Sequence, residues 1–299
     1  MFSYTMGVPV AKIVYNNGKT KIIFLNSPDQ NPMHKLSDTF KKKHKKMKSK
    51  DKKLLKHHLE KDYAPEEDDK LKKIYNEALE DLKDTTATNC IKIDGNGKIQ
   101  PLPRADIVEK VYVTGVSGSG KSYFSGNYLK EYKKMYPKNN IYLFSSVEDD
   151  HALDKYNPIR IDPVEYAQDE PLSVKEDLAN SLTVYDDTDT LPTNIRKPID
   201  ALKAHTIEIG RHSNSSILVT SHMISNYLST RQILNEATSV TVFKNNGKYH
   251  VNRYLTTHMG FTKQQIERFH KLKTRAITLY RQYPPYIVWD HGICLISAF

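Results

Sequence analysis

GVSGSGKS, running from Gly115 to Ser122, decides the fold: it follows an apolar, β-prone stretch, Val108–Thr114, and precedes a segment that reads as helix through about Tyr132. GxxxxGK[ST] between a strand and a helix is a phosphate-binding P-loop. Its glycines let consecutive backbone N–H groups turn inward onto the α- and β-phosphates, and the following helix adds its positive N-terminal end. The nucleotide contacts are therefore expected from Gly115, Ser117, Gly118, Ser119, Gly120, Lys121, Ser122 and Tyr123. Lys121 is expected to bridge β- and γ-phosphate oxygens and Ser122 to ligate Mg²⁺, so ATP and Mg²⁺ are the cofactors this loop calls for.

Outward from the loop, further strands are predicted at Ile141–Ser145, Ser181–Tyr185, Ser216–Thr220 and Ser239–Phe243, with a helix over Ile195–Ile209. Strands alternating with helices imply crossover connections and an α/β fold with a mainly parallel central sheet flanked by helices. The tail, Ala276–Tyr283 and Tyr286–Asp290 around Pro284 and Pro285, reads as another pair of strands at the sheet edge.

Two of these strands end in chemistry. Ser181–Tyr185 runs into Asp186 and Asp187, which places two carboxylates at the C-terminal edge of the sheet, where α/β folds bind ligands. Asp186 is expected to hold the magnesium through water, making Ser122 and Asp186 the metal residues, and Asp187 to polarise an attacking water. Ser216–Thr220 ends in Ser221 and His222, placing a polar side chain where it can contact a γ-phosphate or lytic water. Arg211 lies before that strand and Arg231 after it; either guanidinium could complete a neighbouring subunit's site.

Upstream, Val8–Leu25 contains two β-prone stretches around Asn16-Asn17-Gly18, a hairpin signal because Asn and Gly tolerate the positive φ of a tight turn. The block from Met33 to Asp84 is charged and lacks strands. Leu71, Ile74, Ala78, Leu79 and Leu82 mark an amphipathic helix, and Phe40, Met47 and Leu54, seven apart, suggest that the lysine-rich half is helical too. Residues 35–61 hold twelve lysines against three acids, whereas residues 62–84 hold nine acids against four lysines. The block can therefore be a helix pair of opposed charge or an arm that lies on phosphates. The predicted organisation is an N-terminal hairpin segment over 1–32, a charged helical arm or helix pair over 33–88, and a P-loop domain over 89–299.

The net charge of +10 over 299 residues favours a polyanionic partner, although much of it sits in that early arm. Cys90 and Cys294 are too few for a disulfide framework and lack metal-ligand spacing, so they read as reduced thiols. No apolar stretch approaches the ~20 residues that cross a bilayer, and Met1–Val10 lacks the pattern of a secretory signal. A soluble intracellular protein without a transmembrane segment is expected.

The combination of GVSGSGKS, SLTVYDD and Gly210-Arg211-His212 leading into Ser216–His222 resembles the FtsK/HerA superfamily of DNA-pumping ATPases, with the RecA/FtsK-like fold. Within it, the resemblance is to the poxvirus-like virion DNA-packaging ATPases of large DNA viruses and virophages. It covers about Lys110–Ile296 and extends to Leu272-Lys-Thr-Arg275 and Tyr283-Pro-Pro-Tyr286. The resemblance implies that Lys121 and Ser122 bind phosphate and magnesium and that Asp186 and Asp187 are the Walker-B pair. It also makes Arg211, then Arg231, the trans-acting finger. His222 stands where the superfamily usually has a sensor glutamine, and the charged block has no counterpart in the family. The implied activity is ATP-driven packaging of double-stranded DNA into a preformed capsid. A homo-oligomeric ring, hexamer or pentamer, would perform it, with capsid or inner-membrane vertex components as further partners. The implied location is the virion or the viral factory in host cytoplasm. From the residues alone, a small-molecule P-loop kinase and a nucleotide-dependent assembly scaffold remain alternatives.

Overall fold

Alternating apolar residues build the amino-terminal strands, β1 (Phe2–Ser3), β2 (Val8–Tyr15) and β3 (Thr20–Leu25). The computed structural model describes residues 1–5, 7–26, 33, 36–61, 63–66, 68–84, 88–224 and 230–299. β2 and β3 pair antiparallel across the expected turn, where Gly18 takes a φ of +79° that a side chain would strain. Two later strands follow, β4 (Cys90–Lys92) and β5 (Gly97–Pro101). β5 pairs with β2, closing a four-stranded sheet in the order β1-β3-β2-β5.

Between these strands lies the charged block, folded as helices α1 (Asp38–Lys43), α2 (Ser49–Lys61) and α3 (Asp69–Asp84). Leu36, Phe40, Leu55, Leu71, Tyr75 and Ala78 give it a small core of its own. Asp68 accepts the Leu71 N–H at 3.0 Å and so caps the start of α3. Ser37 donates to Asp81, and His44 lies 2.9 Å from Glu77, so α1 is fastened to α3. The heptad spacing misplaced one residue: Leu54 is 39% exposed and Leu55 is buried. The reason is the break between α1 and α2, which rotates the apolar stripe. Lys35, Asp62 and Glu67, counted in the charge balance, lie outside the described residues, as does residue 32 at the expected boundary.

The main sheet is built from β6 (Lys110–Thr114), β7 (Asn140–Ser145), β8 (Ile159–Arg160), β9 (Ser181–Asp186), β10 (Ser216–Ser221), β11 (Ser239–Phe243), β12 (Ala276–Tyr280), β13 (Tyr286–Trp289) and β14 (Gly292–Leu295). With β4 it forms ten strands in the order β4-β14-β13-β12-β11-β6-β10-β9-β7-β8. The run from β11 to β8 is parallel, and the run from β12 to β4 is antiparallel. β9, β10 and β11 are buried at every position, as expected of a parallel sheet covered on both faces. The covering helices are α4 (Lys121–Met135), α5 (Thr193–Ile209), α6 (Arg231–Glu236), α7 (Lys248–Met259) and α8 (Lys263–Lys271). Val111, Val113, Leu182 and Leu218 pack with Leu129 of α4 on one face. Tyr112, Val219 and Val240 pack with Leu202 of α5 and Leu255 of α7 on the other.

Two expectations need correction. The tail strands do not lie at the sheet edge, because β14 and then β4 pair beyond them. Cys90 and Cys294, read as reduced thiols, stand opposite each other in the β4–β14 register and are joined as a disulfide. Their separation of 204 residues hid the pairing. The N-terminal sheet is docked on this extension, with Phe2, Val10, Ile13 and Ile23 packed against Tyr286, Val288 and Ile293. No described helix is long and apolar enough to cross a membrane.

Candidate nucleotide site

The P-loop leaves β6 and enters α4 with Gly118 at φ +72° and Gly120 at +110°, conformations that L side chains rarely adopt. Gly115 is required for a different reason. A Cβ there would sit 2.9 Å from Cβ of Phe243, so the loop could not lie against β11. Lys121, the first residue of α4, is buried; its Nζ donates to the Gly115 carbonyl at 3.0 Å, which folds the ammonium over the loop's concave side. Ser122 is half-buried beside it, and Tyr123 points outward, 67% exposed.

β10 inserts between β6 and β9, so three strands deliver polar ends to the same place. Lys121 Nζ lies 3.3 Å from Asp187 Oδ2 and 3.4 Å from His222 Nδ1. The same Asp187 oxygen lies 3.2 Å from His222 Nε2. The structure thus brings Lys121, Asp187 and His222 into one cluster at the mouth of the loop. Asp187 takes a left-handed backbone, φ +46°, which turns its side chain back over the strand end.

Asp186 is buried beneath this cluster. Thr220 Oγ1 lies 2.9 Å from its Oδ1, and Ser145 donates to its Oδ2 at 3.2 Å. Burial is the main force pushing the Asp186 carboxyl above its ordinary pKa, with the neighbouring carboxylates of Asp187 and Asp150 adding to it. The hydroxyl hydrogen bonds pull the other way. A buried carboxylate disfavoured as an anion is a fitting neighbour for a divalent cation. Among the described residues, no group of three or more His, Cys, Asp or Glu forms a ready metal cage. Mg²⁺ bound with a nucleotide takes one or two protein oxygens together with substrate phosphates and water. Asp186 and Ser122 are the protein oxygens available.

Sequence reasoning missed Thr220 as an organiser. Its hydroxyl accepts the Asp187 N–H at 2.9 Å and lies 3.1 Å from Asp187 Oδ1, so it fastens both acids. The available signal was its place as the last polar residue of a strand otherwise read as core. Asp189 was also missed; it accepts from Ser221 at 2.7 Å. Arg275 was quoted in a motif without a role, yet its Nη2 lies 3.4 Å from the Ser119 carbonyl of the P-loop.

The structure does not bring Arg211 or Arg231 to the P-loop of the same chain. Arg211 sits in the 3₁₀ turn Gly210–His212, at the N-terminal end of β10 and so at the opposite edge of the sheet. Six residues of strand, about 20 Å at the usual rise, separate it from the nucleotide edge. There it lines a cavity of about 890 Å³ together with Lys110, Glu208 and Glu236. Arg231 is exposed at the start of α6; residues 225–229, which lead into it, lie outside the described residues.

No protein-family model matches the sequence. The chain is 35% identical over 199 residues to "Uncharacterized protein V3" of Sputnik virophage, covering 66% of this chain and 80% of that protein. Among solved structures it is similar to the genome packaging NTPase B204 of Sulfolobus turreted icosahedral virus 2 in complex with ATP-gammaS. That likeness has a TM-score of 0.41 and 14% identity, covering 60% of this chain and 95% of B204. The pCW3 conjugation coupling protein TcpA gives a TM-score of 0.45 and 11% identity, covering 69% of this chain and 66% of TcpA. The cytoplasmic domain of the Thermomonospora curvata Type VII secretion ATPase EccC gives 0.45 and 12%, covering 68% and 28%.

Proposed function

The chain belongs to one family with protein V3 of Sputnik virophage, and we propose that it is a P-loop ATPase of the FtsK/HerA superfamily that hydrolyses ATP to drive double-stranded DNA into a preformed capsid. The observation that carries the chemistry is the convergence of Lys121, Asp187 and His222 over the P-loop. Backbone N–H groups of Gly115–Ser122 bind and orient the phosphates, and Lys121 swings from the Gly115 carbonyl to neutralise the β- and γ-oxygens. Asp187 orients a water and takes its proton, while His222, in contact with both Lys121 and Asp187, senses whether the γ-phosphate is present. Ser122 and Asp186 would hold Mg²⁺, which would supply charge neutralisation to the phosphates. Arg211 acts on a neighbour's nucleotide, because its edge of the sheet faces away from its own, and a homo-oligomeric ring provides that neighbour.

DNA as the cargo is supported by charge within the P-loop domain itself. Residues 244–275 carry eight Lys or Arg against one acid, Glu267, and none of the eight pairs with a described acid. A translocase that must not stall on sequence engages the phosphate backbone, and such contacts weaken steeply with salt. ATP hydrolysis by the assembled protein is therefore expected to rise on adding duplex DNA and to lose that stimulation between about 50 and 200 mM salt. Equal rates with and without duplex DNA would rule out translocation and favour a nucleotide-dependent scaffold.

A further inference from the structure

A cleft of about 240 Å³ opens off Ser119 and Gly120. It lies on the β11 side of β6, whereas Asp187 and His222 reach the P-loop from the β10 and β9 side. A triphosphate whose γ end lies at Lys121 and Asp187 therefore leads its other end toward this cleft. The walls come from three parts of the chain: Tyr123 on the first turn of α4, Arg275, Trp289 and Asp290 from the antiparallel extension, and Gln100 with its neighbours in β5. The N-terminal sheet is held there by an ion pair, since Lys12 of β2 lies 2.9 Å from Glu131 of α4.

The geometry points to this cleft as the seat of the nucleoside half of the nucleotide, base and ribose together. The assignment rests on the reading of the P-loop as a triphosphate site. Tyr123 leaves its ring bare beside the loop, which is costly in water and useful against the flat face of a base. Phe243 lies beneath Gly120, its ring 3.3 Å from where a side chain there would begin, so the floor is apolar. The Asp290 carboxylate has no hydrogen-bond or ion-pair partner among the described residues, and it is an acceptor for ribose hydroxyls or base N–H groups. Arg275, beside the Ser119 carbonyl, places a positive charge where the phosphate chain meets the sugar. A few convergent polar groups in an apolar, aromatic cleft are what small-molecule sites share. On this assignment the N-terminal sheet is one wall of the ATP site.

ATP with Mg²⁺ is expected to bind the full-length protein at least tenfold more tightly than inorganic tripolyphosphate. Tyr123→Ala, an exposed change that the fold tolerates, and Asp290→Ala are each expected to weaken ATP binding about tenfold and leave tripolyphosphate binding unchanged. Unaltered ATP affinity in both variants would overturn the assignment. If tripolyphosphate itself fails to bind the unaltered protein, the triphosphate reading of the P-loop falls, and the cleft's role with it.

Discussion

Two buried carboxylates at opposite edges of the same sheet resolve one problem in different ways. Asp186 ends β9 at the nucleotide edge, and Glu109 precedes β6 at the other. Burial pushes both above the ordinary carboxylate range, Glu109 to about 7. At Asp186 each oxygen meets a different hydroxyl, from Thr220 and Ser145, and the site opens toward the P-loop. At Glu109 both donors, Tyr128 Oη and the Arg104 N–H, fall on Oε2, and Oε1 is buried without a partner. At Asp186 the two hydroxyls pull against burial and favour the anion; at Glu109 burial prevails and holds the proton up to about 7. Burial alone therefore does not mark a catalytic acid. The distribution of donors over its two oxygens, and access to a ligand, do.

The largest effect should come from the nucleotide edge and its partner across a subunit boundary. Asp187→Asn is expected to lower ATP turnover about 10³-fold while ATP binding persists, and Arg211→Ala to lower it by a similar factor with ATP binding intact. Mixed assemblies of the two variants should regain part of the turnover, because one subunit supplies the intact acid and the other the intact arginine. Steady-state ATPase assays over a mixing series check this, and strictly additive rates would break the assignment of the two edges to neighbouring subunits.

Glu109→Gln probes the opposite edge. The folded-state pKa is raised, so the stabilisation from the protonated form is complete below about 4.5 and is lost as pH rises through about 7. A shift of this size corresponds to about 3 kcal/mol across that window. The amide keeps an acceptor for Tyr128 and Arg104, so denaturant unfolding at pH 5 and pH 8 should show the variant losing that pH dependence. Turnover at a fixed, saturating ATP concentration should hardly change.

A smaller change sharpens the contrast at Asp186. The Thr220 hydroxyl lowers that carboxyl's pKa, so Thr220→Val should raise it and move the acid limb of the ATPase pH profile upward. An unmoved acid limb would separate Asp186 from the titration that governs activity.

The P-loop was legible because everything it needs is local. Eight residues contain the glycines whose φ values shape the cradle, and the flanking strand and helix were periodic enough to place. Asp186 and Asp187 were legible for the same reason, as acids ending an apolar run. Thr220 was not, since its meaning depends on β10 lying beside β9, a pairing between residues more than thirty positions apart. Arg211 was picked out by its motif, but its place at the far edge of the sheet was invisible until the direction of β10 was known.

By itself, then, the sequence determined the glycine-rich loop between β6 and α4, the acids at a strand end, the hairpin turn at Gly18 and the helical character of the charged block. Short-range backbone preferences govern all of these. The tertiary structure alone decided that β5 completes the N-terminal sheet, that Cys90 meets Cys294, that Leu55 rather than Leu54 enters the core, and that a cleft opens beside Tyr123. Those outcomes follow from strand order and register, set by burying both faces of a sheet at once, a constraint no local window of residues contains.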